Sequence, residues 1–505
     1  VTAVVDRLRR YLDEQAPPTP CLVLDVDAVV AAYRDLAAAF PGTRVYYAVK
    51  ANPEPPVVEA LAAAGAWFDV ASVAEAELCL GLGAPAARLS YGNTIKKAAD
   101  IARAHELGVR EFVSDAEDDL AVLAELAPGS SVSVRILTDA PASVTPFGRK
   151  FGCDPDLAIE LLARADELGL DAAGVAFHPG SQQLDPLAWD TGIAAAAKVF
   201  DALAARGVHP RRLNLGGGFA LGYTGTAPAA AEYAAAIGAA LRAHFPAGVP
   251  ELAIEPGRAI VAGAGLIRTE VVGVSRRSAT DEHRWVYLDV GRYNGLAETE
   301  NEAIAYRIEP AGEHPPADGP VILAGPTCDG DDVLYQRTPY RLPLSLRRGD
   351  RLDILDTGAY TASYSSVAFN GIEPLRTYCV GGATPAVAPA SFAGRHVLAE
   401  FGAVDPVVLD DPAALRTALR SALTEAGATV RDLLTHRFQP QGVTVLAMLA
   451  ESHASVHSYP ELGTAFVDVF TCGEAADPER AVRLLASALD AGEVNLSTVR
   501  RGGVR

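Results

Sequence analysis

Residues 44–80 read RVYYAVKANPEPPVVEALAAAGAWFDVASVAEAELCL. Val45–Val49 is β-branched and aromatic, the composition of a strand. Pro56–Ala64 spaces its apolar residues for a helix, Trp67–Val70 returns to a strand, and Val73–Leu82 is helical again. The alternation continues outward. Leu89–Tyr91, Glu111–Val113, Ser131–Leu137, Ala173–Phe177, Arg212–Leu215 and Leu252–Ile254 are further strand-like runs, separated by helices such as Asp156–Leu168 and Ile193–Ala205. Eight strand–helix units in roughly 220 residues predict an α/β barrel of the TIM type.

From about Ile260 the pattern changes. Val271–Val274, Arg284–Leu288, Val321–Leu323 and Arg351–Ile354 are strands without long helices between them. They predict a β-sandwich or β-barrel domain, to which the early strand Thr19–Leu24 could also belong. Val380–Ala393 is rich in Pro, Gly and Ala and uncharged, hence a linker. A third pattern follows: a strand, a helix (Asp411–Ala426), strands (Thr429–Phe438, Val443–Leu449, Thr464–Phe470), a helix (Pro478–Asp490) and a strand. The expected domains are therefore a barrel at 25–260, a β domain made of 1–24 with 261–379, a linker at 380–393, and a small α+β domain at 394–505.

Composition bounds the function. A chain of 505 residues exceeds one ordinary core. The formal net charge of -20 repels nucleic acid and anionic membrane, so neither is an expected partner. The six cysteines are scattered without metal-type spacing, which fits a reduced, cytoplasmic protein. VTAVVDRLRRYLDEQ at the start lacks the apolar core of a signal peptide, and no apolar run is long enough to span a bilayer.

Barrel enzymes carry their chemistry at the C-terminal ends of the strands. Those positions here are Lys50, Ser72, Asn93, Asp115, His178, Gly216-Gly217-Gly218 and Glu255, with Arg135 close by within its strand. A surface lysine or a glycine turn is commonplace taken singly; the whole polar ring arriving in phase is not. Glycines after a strand let backbone N–H groups approach a phosphate. Glu255 and Arg258 of EPGR set a carboxylate able to keep a pyridine nitrogen protonated beside an arginine able to clamp phosphate. Lys50 can form a Schiff base.

YYAVKAN (46–52), WFDVASVAE (67–75), FHPGS (177–181), LGGGF (215–219), EPGR (255–258), GPTCDG (325–330), GAYT (358–361) and FNG (369–371) resemble, in order, the ornithine/diaminopimelate/arginine decarboxylase family, the barrel class of pyridoxal-phosphate enzymes. The resemblance covers about residues 20–380. It implies that Lys50 carries pyridoxal 5'-phosphate, His178 stacks on its ring and Glu255 pairs with its nitrogen. Ser181, Gly216, Gly217, Gly218, Arg258 and Tyr360 would hold the phosphate, and Asp69, Glu75 and Arg135 would line the other edge. It also implies a homodimer in which Cys328 and Asp329 enter from the partner, Cys328 as proton donor and Asp329 at the substrate's distal amine. CDG and FNG favour the ornithine branch; lysine, arginine and diaminopimelate stay open. Glu298, Glu300 or Glu302 could serve as a further acid for the distal ammonium.

In the third domain, AESHASVHSYPELGTAFVDVFTCG (450–473) sets Ser452 and His453 side by side. A hydrolase reading lacks a GxSxG elbow and an obvious carboxylate orienter. A zinc reading of His453, His457 and Cys472 is weaker than unrelated polar residues, so no metal is expected. GRHVLAEF (394–401), HRFQPQGVT (436–444), ESHASVHSYPE (451–461) and VDVFTCG (467–473) resemble the short prokaryotic S-adenosylmethionine decarboxylases, over Gly394 to about Gly502. The resemblance implies cleavage between Glu451 and Ser452 and a pyruvoyl group derived from Ser452. His457 would be the processing histidine, Cys472 the proton donor, and Phe438 and Glu461 the holders of adenine and ribose. Thr444 stands where serine is usual and Tyr459 where tryptophan is common, keeping a hydroxyl and an aromatic face. Together the two resemblances imply a bifunctional decarboxylase of polyamine synthesis, acting on the small molecules ornithine and S-adenosylmethionine.

Overall fold

The structure, a computed structural model, describes residues 2–138, 143–145, 148–382, 394–473 and 476–501. The expected linker therefore lies, from residue 383 on, outside the described residues. The chain divides into two compact units, Val1–Ala383 and Thr384–Arg505.

In the first unit, the strand β1 (Cys21–Asp25) precedes a barrel built from β2 (Arg44–Ala48), β3 (Trp67–Val70), β4 (Leu89–Tyr91), β5 (Glu111–Ser114), β6 (Ser131–Arg135), β8 (Asp171–Ala176), β10 (Arg212–Asn214) and β11 (Glu251–Ile254). A short two-stranded ribbon, β7 (Ser143–Thr145) with β9 (Ser181–Gln183), is inserted on the way. The eight barrel strands close in the order β10-β11-β2-β3-β4-β5-β6-β8, all pairs parallel. Each helix that follows a strand buries its apolar stripe on the barrel, as Val57, Val58 and Leu61 do from Pro55–Ala63. Helix starts are set by local chemistry. Ser72 Oγ accepts from Glu75 N, and the Glu75 carboxylate accepts from Ala71 N, a reciprocal cap that opens Val73–Gly81.

The β part is an eight-stranded sheet of β12 (Gly265–Ser275), β13 (Arg284–Leu288), β14 (Ile308–Ala311), β15 (Asp318–Ala324), β16 (Val333–Pro343), β17 (Arg351–Leu355), β18 (Arg376–Val380) and β1. β1 runs antiparallel to β12 and parallel to β18. The helix Thr2–Gln15 seats Leu8 and Leu12 on this sheet against Cys21, Val23, Leu266 and Leu355. The strands β14, β16 and β18 are additional to the sequence reading.

The second unit is a six-stranded antiparallel sheet of β19 (Gly394–Gly402), β20 (Val430–Arg437), β21 (Val443–Leu449), β22 (Ser452–Tyr459), β23 (Thr464–Cys472) and β24 (Glu493–Arg501), in the order β20-β21-β22-β23-β19-β24. The helices Pro412–Glu425 and Pro478–Ala488 cover one face, packing Leu419, Leu423, Val482 and Leu485 onto Val397, Val445, Val456 and Val467. The other face carries exposed Leu398, Leu446, Met448 and Phe466. β22 is a strand absent from the sequence reading. Ser455 and Ser458 are buried positions filled by hydroxyls, so apolar alternation does not reveal it.

Candidate active sites

At the mouth of the barrel, the turn after β2 carries Lys50, whose Nζ lies 2.9 Å from Asp69 Oδ2 in β3. The lysine side chain is 44% exposed and the aspartate 4%, so the acid anchors an amine that faces an open cavity. Poor solvation pulls the Lys50 ammonium down, but Asp69, Tyr360 and Glu255 outweigh it and hold the amine above the ordinary lysine range. Asp69 Oδ1 is a buried oxygen with no hydrogen-bond partner.

Glu255 follows β11. Its Oε1 accepts from Asn214 Nδ2 at 2.5 Å. Burial, then the charge of Asp69, pushes its carboxyl up to about 7, against the pull of Lys50. A buried carboxylate of that kind is short of a cation, and a bonded pyridine nitrogen becomes one when protonated. His178, after β8, accepts the Gly180 N–H at Nδ1, 3.1 Å away. Burial, with Arg135 and Lys50 nearby, lowers it well below the usual histidine value. The ring is thus neutral and suited to stacking on a heterocycle. Arg135, at the end of β6, lies 5.0 Å from the Phe151 ring.

The glycines after β10 build a cradle. Gly216 and Gly218 have φ of +67° and +98°. A Cβ on Gly217 would fall 2.5 Å from Glu255 O and 3.1 Å from His178 Nε2. The Gly216 N–H is taken by Asn214 Oδ1 at 3.0 Å, so close approach of a phosphate falls to Gly217 and Gly218. Beside them, Arg258 bonds Tyr223 Oη at 2.8 Å and Ser181 Oγ at 3.4 Å, and stacks 5.0 Å from the Tyr360 ring. Its Nε is buried without a partner. Tyr360 has φ of 54° and is tied to the barrel by its N–H to Ala51 O, 2.8 Å. The orphaned Asp69 and Arg258 atoms, the glycine cradle and the cation-poor Glu255 all fit a pyridine ring bearing a phosphate and an aldehyde.

Three partners escaped the sequence reading. Asn214 ends β10 in phase with the glycines and was legible from position; Tyr223 and the Arg258–Glu298 pair were not. Of the three glutamates that could serve the distal ammonium, two are engaged elsewhere. Glu298 grips Arg258, and Glu302 accepts from the backbone N–H of Gln336, Arg337 and Thr338. Glu300 is exposed beside Arg292. Cys328 and Asp329 sit on an exposed loop after β15, where Asn370 of FNG accepts the Cys328 N–H at 3.1 Å.

In the second unit, Cys472 N–H donates to the Glu451 carbonyl at 3.1 Å, and Ser452 faces Thr471 across the β22–β23 pair. The Glu451 carboxylate accepts from Thr429 N, which pins the residue before the serine. Ser452 Oγ lies 3.2 Å from His453 Nδ1, and His453 Nε2 lies 3.4 Å from Asp468 Oδ1. His396 Nε2 is also 3.4 Å from that oxygen. Asp468 Oδ2 accepts from Ser455 Oγ, which in turn meets His457 Nε2 at 3.1 Å. His457 Nδ1 is 2.9 Å from Thr444 Oγ1. The carboxylate that the hydrolase reading lacked is thus Asp468, concealed because it sits two strands' worth of sequence away.

The structure separates the other expected residues. Ser452 and His457 are five residues apart on one extended strand, roughly 16 Å at 3.3 Å per residue. His457 lines a groove of about 560 Å3 with Glu400, Phe466 and Asp468. Glu461 lies beyond the far end of β22, bonded by Gln441, in a different hollow with Arg437 and Asp410. Phe438 is exposed just past β20 and packs on His436.

Known proteins match in two blocks. Residues 26–262 match the family model described as pyridoxal-dependent decarboxylase, pyridoxal binding domain, and residues 395–502 match that of S-adenosylmethionine decarboxylase. The lysine/ornithine decarboxylase of Selenomonas ruminantium is 33% identical over 356 residues, 70% of this chain and 88% of that one. The chloroplastic ornithine decarboxylase of Nicotiana glauca is 34% identical, over 70% of this chain and 81% of its own. Among solved structures, the Vibrio vulnificus lysine/ornithine decarboxylase complexed with cadaverine aligns at a TM-score of 0.67 and 31% identity, covering 75% of this chain and 98% of that one. The Paramecium bursaria Chlorella virus arginine decarboxylase bound to agmatine aligns at 0.68 and 26%, covering 75% and 100%. Among the described residues no helix is long and apolar enough to cross a membrane.

Proposed function

Because the chain belongs to the pyridoxal-dependent decarboxylases of the ornithine/lysine type, and bears an S-adenosylmethionine decarboxylase domain behind that enzyme, we propose that it decarboxylates ornithine to putrescine at Lys50 and S-adenosylmethionine at a pyruvoyl group made from Ser452. The observation that carries the first half is the convergence of Lys50, Asp69, His178, Glu255 and the Gly216–Gly218 cradle on one end of one barrel. Pyridoxal phosphate, when bound, supplies the electron sink for the pair that CO2 leaves behind. The chain's own residues do the rest. Lys50 would hold the cofactor through its aldehyde, Glu255 would keep a proton on the ring nitrogen, and Arg258, Ser181 and the glycines would fix the phosphate. Cys328 returns a proton to the product carbon and Asp329 meets the distal amine. Both lie exposed on this chain, which supports a homodimer in which each copy completes the other's site.

In the second unit, Ser452 Oγ attacks the Glu451 carbonyl carbon. The peptide C–N bond breaks, the serine amine takes the proton, and an ester results. Removal of the Ser452 α-proton expels the Glu451 carboxylate. Water then replaces nitrogen, releasing ammonia and leaving a ketone that forms a Schiff base with substrate. The Cys472 N–H on the Glu451 carbonyl, 3.1 Å long, supports this reading, because it stabilises charge on that oxygen. His457, Phe438 and Glu461 reach Ser452 only from a second copy, and the exposed apolar face of the sheet supports such pairing. Cys328 and Cys472 are both free thiols, and a cytoplasm keeps them reduced.

The test is CO2 release measured separately from ornithine, lysine, arginine, diaminopimelate and S-adenosylmethionine, with intact mass read in parallel. Ornithine and S-adenosylmethionine should lead, and the mass should split at Glu451–Ser452. A faster rate on lysine, arginine or diaminopimelate would reassign the first site; a chain that stays whole would remove the second activity.

A further inference from the structure

We propose that His453, oriented by Asp468, is the base that starts the self-cleavage, a step separate from any role of His457. The proposal rests on the self-cleavage reading above. Ser452 Oγ, His453 and Asp468 form a continuous line, with contacts of 3.2 Å to Nδ1 and 3.4 Å from Nε2. His457 cannot take this part within the same copy, since five extended residues separate it from the serine. Its own ring is held between Thr444 Oγ1 and Ser455 Oγ.

A serine hydroxyl is a weak nucleophile until a neighbour takes its proton. His453 Nδ1 is placed to accept that proton as Oγ bonds to the Glu451 carbonyl carbon. The proton then passes to the departing Ser452 nitrogen as the C–N bond breaks. No oxidant or co-reactant is needed. Asp468 stabilises the imidazolium formed in between and fixes the tautomer with its proton on Nε2. The Cys472 N–H carries the charge that builds on the Glu451 oxygen. Asp468 is held from three directions, by His396, His453 and Ser455, so its orientation does not depend on the histidine it serves.

The experiment follows full-length chain freshly made by cell-free synthesis, reading intact mass over time for the wild type and for H453A, H453Q, D468N and H457A. H453A and H453Q should cleave at least about 100-fold more slowly than wild type, with unchanged thermal unfolding, and added imidazole should restore H453A. D468N should slow cleavage at least about 10-fold. Hydroxylamine cuts esters and spares peptide bonds. It should therefore leave uncleaved H453A intact, whereas any chain halted after the ester has formed would be cut between Glu451 and Ser452. H453A and H453Q that cleave at the wild-type rate, or H453A whose accumulated chain is cut by hydroxylamine, would overturn the relay while leaving self-cleavage standing. Wild-type cleavage abolished by EDTA would overturn it in favour of a metal. A wild-type chain that never cleaves would defeat the self-cleavage reading itself, and the relay with it.

Discussion

Arg258 and Glu298 clasp each other through both guanidinium NH2 groups and both carboxylate oxygens, at 2.7 and 2.5 Å. The arginine proposed to clamp the cofactor's phosphate is therefore already neutralised, inside a pocket that leaves it 4% exposed. A phosphate arriving there meets a pair rather than a bare cation.

Glu298→Gln separates the two effects. Removing one partner of a buried ion pair costs about 3–5 kcal/mol, so the cofactor-free protein should melt earlier. The freed charge should bind phosphate more tightly, so the rise in Tm on adding pyridoxal phosphate should exceed that of the wild type. Differential scanning fluorimetry with and without cofactor reads both; an equal rise in the two proteins would refute the competition.

Glu255 gives a pH dependence with a definite sign. Its folded value of about 7 lies above its ordinary 4.5, so the cofactor-free fold keeps a proton that the unfolded chain gives up. Stability therefore falls as pH rises through that window, by up to about 3 kcal/mol, and the loss is complete above it. Glu255→Gln should flatten this slope in urea unfolding of the cofactor-free protein. The same change should lower kcat about 100-fold, because the ring nitrogen loses its carboxylate.

Lys50→Ala should abolish visible absorbance from bound cofactor and cut decarboxylation by at least about 1000-fold. Cys328→Ala should lose activity through the other end of the site. If each copy completes its neighbour, mixing the two inactive proteins and allowing subunit exchange should recover about a quarter of wild-type activity, since half the dimers then hold one intact site of two. Zero recovery with demonstrated exchange would mean that both residues act in the same copy.

Gly217→Ala tests the cradle. The added methyl would meet the Glu255 carbonyl at 2.5 Å, and backbone cannot yield as a side chain does. Cofactor affinity should fall at least about 10-fold, with overpacking destabilising the fold by about 1–3 kcal/mol. Equilibrium dialysis against pyridoxal phosphate measures the first.

Much of this was readable from residues alone, for identifiable reasons. The barrel strands are short β-branched or aromatic runs, such as Val45–Ala48 and Trp67–Val70, set between helices of apolar period, and that alternation marks them. Chemistry at strand ends falls at fixed phase, which exposed Lys50, His178 and Glu255. What stayed hidden were relationships across the fold. The distance from Asp468 to His453 depends on β22 and β23 being paired in one register, which no local pattern states. Residues on one strand can also look like neighbours while being far apart. Ser452 and His457 read as one motif, yet the extension of β22 separates them by most of the strand.

Cys21 of β1 faces Arg268 on one side and Arg376 on the other. The first strand of the chain is therefore an interior strand whose neighbours are made long after it. At about 5–20 residues per second on a ribosome, β1 waits on the order of tens of seconds for a partner. Cys21 and Val23, buried at the end against Leu266 and Leu355, lack those partners through that interval. The barrel can close while the β sheet is still unfinished, so nascent chains should depend on chaperones at this point, and truncation before Val380 should yield aggregates rather than a smaller enzyme.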